Sequence, residues 1–401
     1  MPGSHLPLLV LGLCFAMSLL GRGAAETFTV FLLPVSTSFG WDRAEVVSIY
    51  SLAALATGVA APFVGRLFDR SGPRTVFGLG LFLLGTGFLS AAFTQKLWQL
   101  QVCIGLAAGL GSACLGNVAG SLLLSRWFGP RLPTAMAVVY SAAGAGILLI
   151  VPLSQILIDH FGWRGAYRIL GAVLLGTTAL LLVLPWQRLA AGSGKVSPRA
   201  HLEGFGERWT LLAAMHYPPF WTLFSTFLFT AVGVFALSVQ VVAYLIEAGF
   251  SPLQAATAWG FSGVLLLLGI LAVSWLDALI GRRRAILLSY SLTVAGIGML
   301  WLVRPYPSVW LLYGFLICFG GTIGSRGPLV TAAAMSIFRG KNIGTIFGTI
   351  SIGSGLGAAL GSWAGGLIHD WSGGYDLVIA FTLASVLVGM IAFLLVPTLR
   401  N

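Results

Sequence analysis

The sequence contains very little charge. Only 8% of its 401 residues are Asp, Glu, Lys or Arg, 58% are hydrophobic, and the mean hydropathy is +0.96. A soluble globular protein has about 25% charged residues. So few charges cannot cover a water-exposed surface, and apolar runs of about twenty residues, each long enough to cross a ~30 Å hydrocarbon layer, recur along the chain. The composition therefore predicts an all-α polytopic membrane protein in a lipid bilayer.

Residues for enzymatic chemistry are also scarce. The four cysteines lie inside apolar runs, and the five histidines lie far apart at termini, loops or span ends, so neither forms a metal-binding spacing. Many of the 53 glycines recur every four residues within apolar runs, which favours close helix packing over a nucleotide-binding loop; the longest such stripe is Gly353, Gly357, Gly361 and Gly365. No Walker loop is present. We therefore expect no enzyme activity and no cofactor, and we expect any transport to be driven by gradients.

Apolar length and punctuation by Gly, Pro and charge predict about twelve spans. They cover residues 6–38, 44–68, 74–94, 97–125, 131–159, 163–186, 218–246, 253–280, 284–303, 308–337, 342–369 and 376–397. The one long polar connection predicts a six-helix bundle at 1–186, a cytoplasmic linker at 187–217 and a second six-helix bundle at 218–401. No cleaved leader is expected, because the first five residues contain no Lys or Arg and the apolar pattern resumes at residue 28.

Basic residues in the loops predict the orientation. With a cytoplasmic amino terminus, the inner loops contain Arg66, Arg70, Arg74, Arg126, Arg131, Arg188, Lys195, Arg199, Arg208, Arg282, Arg283, Arg284, Arg339, Lys341 and Arg400. The outer loops contain only Arg43, Lys96, Arg164, Arg168 and Arg304. We therefore expect a multi-pass protein of the cell inner membrane with both termini in the cytoplasm. The net charge of +11 needs no nucleic-acid partner to explain it, and a monomer is expected.

The two halves also resemble each other in sequence. A shift of 211 residues pairs Ser125 with Ser336, Gly129 with Gly340, Thr134 with Thr345, Gly144 with Gly355, Gly146 with Gly357, Asp159 with Asp370 and Gly162 with Gly373. This pattern indicates that spans 4 to 5 and 10 to 11 are duplicated units, a parallel repeat of the kind found in two-bundle transporters.

The loop after span 2 resembles a family motif. Residues 65–74, GRLFDRSGPR, match the G-x-L-x-D-R-x-G-x-R loop of the major facilitator superfamily at every fixed position, and residues 277–284, DALIGRRR, form a weaker counterpart. The resemblance covers the whole chain and implies that these loops gate the cytoplasmic side, through Gly65, Asp69, Arg70, Gly72, Arg74, Asp277 and Arg282. Asp69 can accept backbone hydrogen bonds while pairing with Arg70 or Arg74. The alternative is that the arginines only fix the topology.

Two further segments resemble one branch of that superfamily. Residues 125–146, SRWFGPRLPTAMAVVYSAAGAG, and residues 162–171, GWRGAYRILG, are similar to the monocarboxylate and oxalate/formate transporters. That branch typically has an arginine in span 8, whereas residues 253–276 are uncharged here and span 11 lacks a lysine near its middle. These two departures from the branch's pattern weaken the substrate assignment that the resemblance implies.

Three charged residues lie well inside predicted spans, away from the span ends. Arg326 is about 26 Å from Val309 and about 18 Å from Phe338 along span 10, and Arg22 has a similar depth in span 1, with Glu26 one turn later. A central arginine costs about 2.5 to 3.5 kcal/mol to insert, so we expect both to face a central cavity between the bundles and to bind a carboxylate substrate. Glu26 is the candidate proton-coupling residue. The alternatives are a permanent Arg22–Glu26 pair and an Arg326 that is bonded to backbone carbonyls freed by Gly327 and Pro328, or to a neighbouring polar side chain.

Polar side chains at similar depth are further substrate-binding candidates: Asn117, Tyr140, Ser141, Gln240, Ser325, Ser351 and Ser354. Each can instead form helix-to-helix hydrogen bonds. The leading hypothesis is a secondary active transporter of a small organic anion, monocarboxylate-like, working by proton-coupled symport and alternating access. The alternatives are a dicarboxylate or organophosphate exchanger, an exporter of amphipathic compounds, and a nontransporting receptor.

Overall fold

A computed structural model describes residues 6–128, 132–191, 209–338 and 343–395, and within these ranges the chain is helical and contains no strand. The helices are α1 Leu6–Glu26, α2 Phe28–Phe39, α3 Arg43–Ala91, α4 Leu97–Leu100, α5 Gly109–Leu115, α6 Asn117–Ser125, α7 Leu132–Val183, α8 Trp186–Ala190, α9 Leu211–Met215, α10 Pro218–Ser238, α11 Val241–Glu247, α12 Pro252–Ile280, α13 Arg282–Val303, α14 Val309–Phe315, α15 Arg326–Ile337, α16 Ile343–Ser372 and α17 Asp376–Leu394. Two π-helical segments, Gln101–Ala108 and Leu316–Gly320, follow α4 and α14.

These helices form twelve spans. Nine helical stretches of the described residues are long and apolar enough to cross a membrane. One of them, Val138–Val183, contains a turn at Gly162 and so holds two spans. The interrupted segment from α14 to α15 and helix α16 complete the set. The predicted all-α, twelve-span architecture is confirmed.

The chain divides into two compact units. The first comprises Met1–Trp41 and Ser48–Ala200, and the second comprises Asp42–Val47 and His201–Asn401. The division along the chain lies inside the predicted linker, whose residues 192–208 are outside the described ranges. Residues Asp42–Val47, at the start of α3, thus belong to the second unit, which the predicted domain boundaries do not include.

Residues 42–47 are held in the second unit by a carboxylate and a guanidinium. The Asp370 carboxylate accepts hydrogen bonds from the backbone N–H of Arg43 at 3.0 Å and of Ala44 at 2.6 Å. The Arg43 guanidinium donates to Glu247 at 2.5 Å. A helix N-terminus has unpaired N–H groups and a partial positive charge, so Asp370 caps α3 from a distant part of the sequence.

Turns at glycine reveal the repeat in the backbone. Every described residue with positive φ is a glycine, and these glycines fall into pairs: Gly40 with Gly249, Gly72 with Gly281, and Gly162 with Gly373. The members of the three pairs are 209, 209 and 211 residues apart. A left-handed backbone is unfavourable for residues with a Cβ atom, so each pair marks one turn that both halves require. This correspondence supports the internal repeat inferred from the sequence.

The predicted glycine stripe lies at a close helix contact. A Cβ atom added at Gly353, Gly357, Gly361 or Gly365 of α16 would meet the backbone carbonyl of Phe224, Leu228, Val232 or Ala236 of α10, in that order. Both sets recur every four residues, so one face of α16 lies flat on α10. Small residues allow this approach, as is typical of helix pairs in membranes.

Candidate functional site

The first span of every three-span group is interrupted. In the first unit, span 1 is interrupted at Thr27, which keeps helical dihedral angles, and span 4 is broken at Gly116, whose backbone is extended. In the second unit, span 7 is broken at Gln240, and span 10 leaves the helix over residues 321–325. Interrupted helices free backbone groups at membrane depth and mark the binding sites of many secondary transporters.

The polar residues singled out in the sequence lie beside these four interruptions. Glu26 is the last residue of α1, Asn117 is the first residue of α6, Gln240 precedes α11, and Arg326 is the first residue of α15. Periodicity alone does not show the interruptions, because the apolar pattern continues through them. The structure thus places Glu26, Asn117, Gln240 and Arg326 each beside a helix interruption.

In the first unit, Arg22 and Glu26 form an ion pair. Arg22 Nη2 lies 3.5 Å from Glu26 Oε1, and the side chains are 51% and 8% exposed. The neighbouring Gly21 and Gly23 pack closely against Leu115 and Ile150, so the opposite face of α1 presents the guanidinium. The pair therefore has one buried carboxylate and one accessible cation.

In the second unit, the Arg326 guanidinium is enclosed. The residue is 5% exposed, and its Nη2 donates to the backbone oxygen of Ser289 at 3.1 Å and to Thr293 Oγ1. Its guanidinium carbon lies 4.1 Å from the centre of the Tyr290 ring. Nε and Nη1 are buried and have no hydrogen-bond partner among the described residues. The guanidinium is thus only partly satisfied, although the sequence analysis expects it to face a water-accessible cavity.

A hydroxyl network on α13 surrounds Arg326, and sequence reasoning missed it. The Tyr290 hydroxyl bonds Thr230 Oγ1 of α10 at 2.7 Å, and Thr293 Oγ1 bonds Thr322 Oγ1 at 2.7 Å. These residues carry no charge, so a search for charged residues inside spans passes over them. The signal was the stretch SYSLT at residues 289–293, where four of five residues are polar within an apolar span.

The other substrate-binding candidates differ in their surroundings. Ser325 is fully buried and bonds Ser289 Oγ at 3.0 Å, whereas Gln240 is fully buried with an unpartnered Oε1 among the described residues. Tyr140 is 47% exposed and borders a pocket of about 10 Å³, which has room for about one water molecule. Ser354 is half-buried on α16, and the side chain of Asn117 is outside the described part of the chain.

The predicted gating loops form turns in both units. Gly72 has φ 75° and Gly281 has φ 82°, so both motifs place a glycine at the turn between two helices. Arg74 donates to the backbone oxygen of Leu182 at 3.3 Å, and Arg282 lies 3.5 Å from Asp277.

The first gating motif has three further residues, Gly65, Asp69 and Arg70. Gly65 is half-buried within α3, Arg70 is exposed, and the side chain of Asp69 lies outside the described residues. The gating role expected of the motif therefore stays a prediction.

Twelve spans, a duplicated backbone and charges at helix interruptions define a multi-pass membrane transporter rather than an enzyme. Residues 11–348 and 264–400 match the family model of the Major Facilitator Superfamily. The chain belongs to the major facilitator superfamily, which confirms the resemblance seen in residues 65–74.

Relatives in this superfamily refine the assignment. The chain is 27% identical to an uncharacterized MFS-type transporter, YcxA, of Bacillus subtilis, over 93% of this chain and 91% of the relative. It is 27% identical to monocarboxylate transporter 13 of Bos taurus (96% and 87% covered) and 29% identical to monocarboxylate transporter 11 of Homo sapiens (93% and 79%). The protein is therefore a major facilitator transporter related to the monocarboxylate transporters.

A solved structure agrees in fold. A bacterial homolog of the human lysosomal transporter Spinster, in an inward-facing and occupied conformation, superposes with a TM-score of 0.74 at 13% identity, over 99% of this chain and 98% of that one. At this identity the likeness shows the fold alone.

Proposed function

We propose that this transporter carries a small organic anion, a monocarboxylate, and that Arg326 binds the carboxylate group. The observation that carries the proposal is the partly satisfied guanidinium. Nε and Nη1 together hold three N–H donors that lack acceptors among the described residues. The buried polar groups of folded proteins are nearly all hydrogen-bonded, so these donors call for an acceptor that the described residues do not supply.

A carboxylate meets this requirement in both charge and geometry. An unpaired charge in a low-dielectric interior is costly, and charge-assisted hydrogen bonds are about twice as strong as neutral ones. Thr293 and the Ser289 carbonyl hold Nη2 and leave the rest of the guanidinium for a ligand. Because Arg326 is enclosed in this conformation, the substrate must enter when this region opens, as alternating access requires.

We further propose that Glu26 carries the coupled proton. Its carboxylate is buried and pairs with the accessible Arg22, so protonation of Glu26 would free the Arg22 guanidinium for an anion. Proton and carboxylate would then move together as symport. The neutral variant Glu26→Gln is expected to keep binding and exchange of the anion but to lose accumulation driven by a pH gradient in proteoliposomes. Accumulation that persists in this variant would assign Glu26 a structural role only.

The test of Arg326 is a ligand screen on the purified protein. Unfolding is followed with a maleimide dye that reacts with the four cysteines, two of which are buried. The probes are acetate, lactate, pyruvate and benzoate as monocarboxylates, with succinate and glycerol 3-phosphate as dianions. At least one monocarboxylate is expected to raise the unfolding temperature of the parent and to lose this effect in Arg326→Gln.

A matched control separates binding from general charge. Arg283→Gln removes an exposed arginine of the same unit and should keep the full ligand effect. Without ligand, Arg326→Gln is expected to unfold at or above the parent temperature, because it removes a buried charge with unpaired donors. Equal ligand stabilisation of parent and Arg326→Gln contradicts the proposed site. Stabilisation by the dianions alone replaces the substrate class with dicarboxylates or organophosphates.

We also propose the orientation that the loop charges indicate, with both termini cytoplasmic in the cell inner membrane. Reporter fusions check it: alkaline phosphatase, which is active only outside the cytoplasm, should be inactive when fused after residue 401. It should be active when inserted after Lys96, in an outer loop. The reverse pattern contradicts the orientation.

A further inference from the structure

We propose that Tyr290 is a positioning residue for Arg326 and that Thr230 fixes Tyr290 through its hydroxyl. The inference rests on the proposed role of Arg326 as the anion-binding group. It concerns three residues on three different spans of the second unit, of which the sequence analysis identified only Arg326.

The ring of Tyr290 lies directly against the guanidinium. Tyr290 is 1% exposed, and the Arg326 guanidinium carbon is 4.1 Å from the ring centre, within the range of a cation–π interaction. Stacking uses the flat face of the guanidinium and leaves its N–H edges available, so the same group can stack on Tyr290 and bind an anion. A hydrogen-bonding partner in place of the ring would occupy those edges.

The Arg326 side chain is supported by a neighbouring helix. Residues 321–325 form hydrogen-bonded turns, and Arg326 begins α15 directly after them. Nη2 has two acceptors on α13, and the Tyr290 ring, also on α13, lies 4.1 Å from the guanidinium carbon.

Tyr290 is itself fixed from the other side. Its hydroxyl and Thr230 Oγ1 are 2.7 Å apart, and either can donate. A Cβ atom added at Gly389 of α17 would lie 2.7 Å from Thr230 Oγ1, so α17 leaves just enough room for this hydroxyl. Thr230 lies on α10, which is held closely against α16 by the glycine stripe. One hydrogen bond thus links the Tyr290 ring, against which the guanidinium lies, to α10.

A tyrosine is required for this arrangement because it combines a ring and a hydroxyl. Phenylalanine would keep the cation–π interaction but lose the bond to Thr230, and leucine would lose both. Thr230→Val has nearly the same shape as threonine and removes the same hydrogen bond from the opposite partner. Thr230→Ser keeps the hydroxyl and should restore parent behaviour.

The first experiment measures the reactivity of Arg326 and does not depend on the substrate. Phenylglyoxal modifies accessible guanidinium groups. Mass spectrometry of peptides from the purified full-length protein gives the rate of modification at Arg326, relative to the rate at the half-exposed Arg22. We expect slow modification in the parent and about 3- to 10-fold faster modification in Tyr290→Phe and Thr230→Val, the range for one buried hydrogen bond. The double variant should react no faster than either single variant, because both remove the same bond.

Controls exclude a general loosening of the helices. Ser291→Ala changes an exposed neighbour of Tyr290 and should leave the Arg326 rate unchanged, as should Thr230→Ser. The rate at Arg22 in the first unit should be equal in all variants. Unchanged Arg326 reactivity in both Tyr290→Phe and Thr230→Val, or effects that add in the double variant, overturns the proposal.

The second experiment measures binding of the probe acids, with lactate as the reference. Tyr290→Phe and Thr230→Val are expected to weaken the stabilisation by lactate, or by the probe that acts on the parent, about 3- to 10-fold in apparent affinity. Their maximal transport rate should stay close to that of the parent, because a positioning residue acts on binding. Faster modification of Arg326 without any anion binding would support the positioning role of Tyr290 and reject the proposed function. Weaker anion binding with unchanged Arg326 reactivity would support the proposed function and reject the positioning role.

Discussion

The glycine stripe of α16 makes a quantitative prediction about packing. An alanine at Gly365 would place its Cβ atom 2.5 Å from the Ala236 carbonyl oxygen and 3.1 Å from the Ala236 Cα atom of α10. Both neighbours are backbone atoms, which cannot rotate away as a side chain can. Because ordinary van der Waals contact begins at 3.4 Å, the two helices would have to separate by roughly 0.9 Å.

The same helix supplies a control for the magnitude. Gly348 is exposed, and a Cβ atom there meets nothing within 4 Å. Replacing either glycine by alanine gains about 0.8 to 1.0 kcal/mol of helix propensity, but only Gly365→Ala also incurs overpacking, which costs about 1 to 3 kcal/mol. Gly365→Ala should therefore be less stable than Gly348→Ala by about 1 to 3 kcal/mol.

Unfolding of the two variants in one detergent, followed by cysteine reactivity, measures this difference. We expect Gly348→Ala to unfold at or above the parent temperature and Gly365→Ala to unfold below Gly348→Ala. Gly357 and Gly361, which approach the carbonyls of Leu228 and Val232 still more closely, should give larger decreases. If all three stripe variants matched Gly348→Ala, the flat contact of α16 with α10 would be refuted.

Two further predictions use equivalent positions of the repeat. Gly162→Ala and Gly373→Ala should each destabilise the protein by about 1 to 2 kcal/mol, because both glycines have φ near 67°. Neither glycine has a steric neighbour that would add to this cost, so the two effects should be equal. Unequal effects in thermal unfolding would contradict the equivalence of the two turns. Asp370→Ala should lower the free energy of unfolding by about 1 to 2 kcal/mol, because it removes the cap of α3. Asp159→Ala should lower it by less than about 0.5 kcal/mol, because the described partner of Asp159 is Gln155 on the same helix. The reverse order in the same assay would argue against the cap.

The parts of the fold that could be predicted are those for which a strong physical constraint limits the choice of residues. Twelve spans could be predicted because each must be apolar over a fixed length. The repeat could be detected because turns such as those at Gly162 and Gly373 require a left-handed backbone that only glycine adopts easily. The helix interruptions at Thr27 and Gln240 could not be predicted, because polar residues also occur inside uninterrupted spans and neither residue is a glycine or a proline.

The candidate site was only partly predictable for a similar reason. Arg326 was found because a charge within a span is rare and costly. Tyr290 and Thr230 were missed because uncharged polar residues occur in many spans, and their importance depends on which residue they contact. The expectation of an open cavity at Arg326 failed in this conformation because the side chain folds back onto α13, where Ser289 and Thr293 supply acceptors.

The first turn of α3 has a practical consequence for dividing this protein into fragments. A break in the linker assigns residues 42–47 to the amino-terminal piece, although their partners Glu247 and Asp370 belong to the carboxyl-terminal piece. In a carboxyl-terminal fragment produced alone, Glu247 and Asp370 would therefore lack their Arg43 and Ala44 partners, and the Gly366 surface would be uncovered. Co-production of both pieces should rescue it, and a short peptide spanning Asp42–Val47 is the smallest supplement that could do the same.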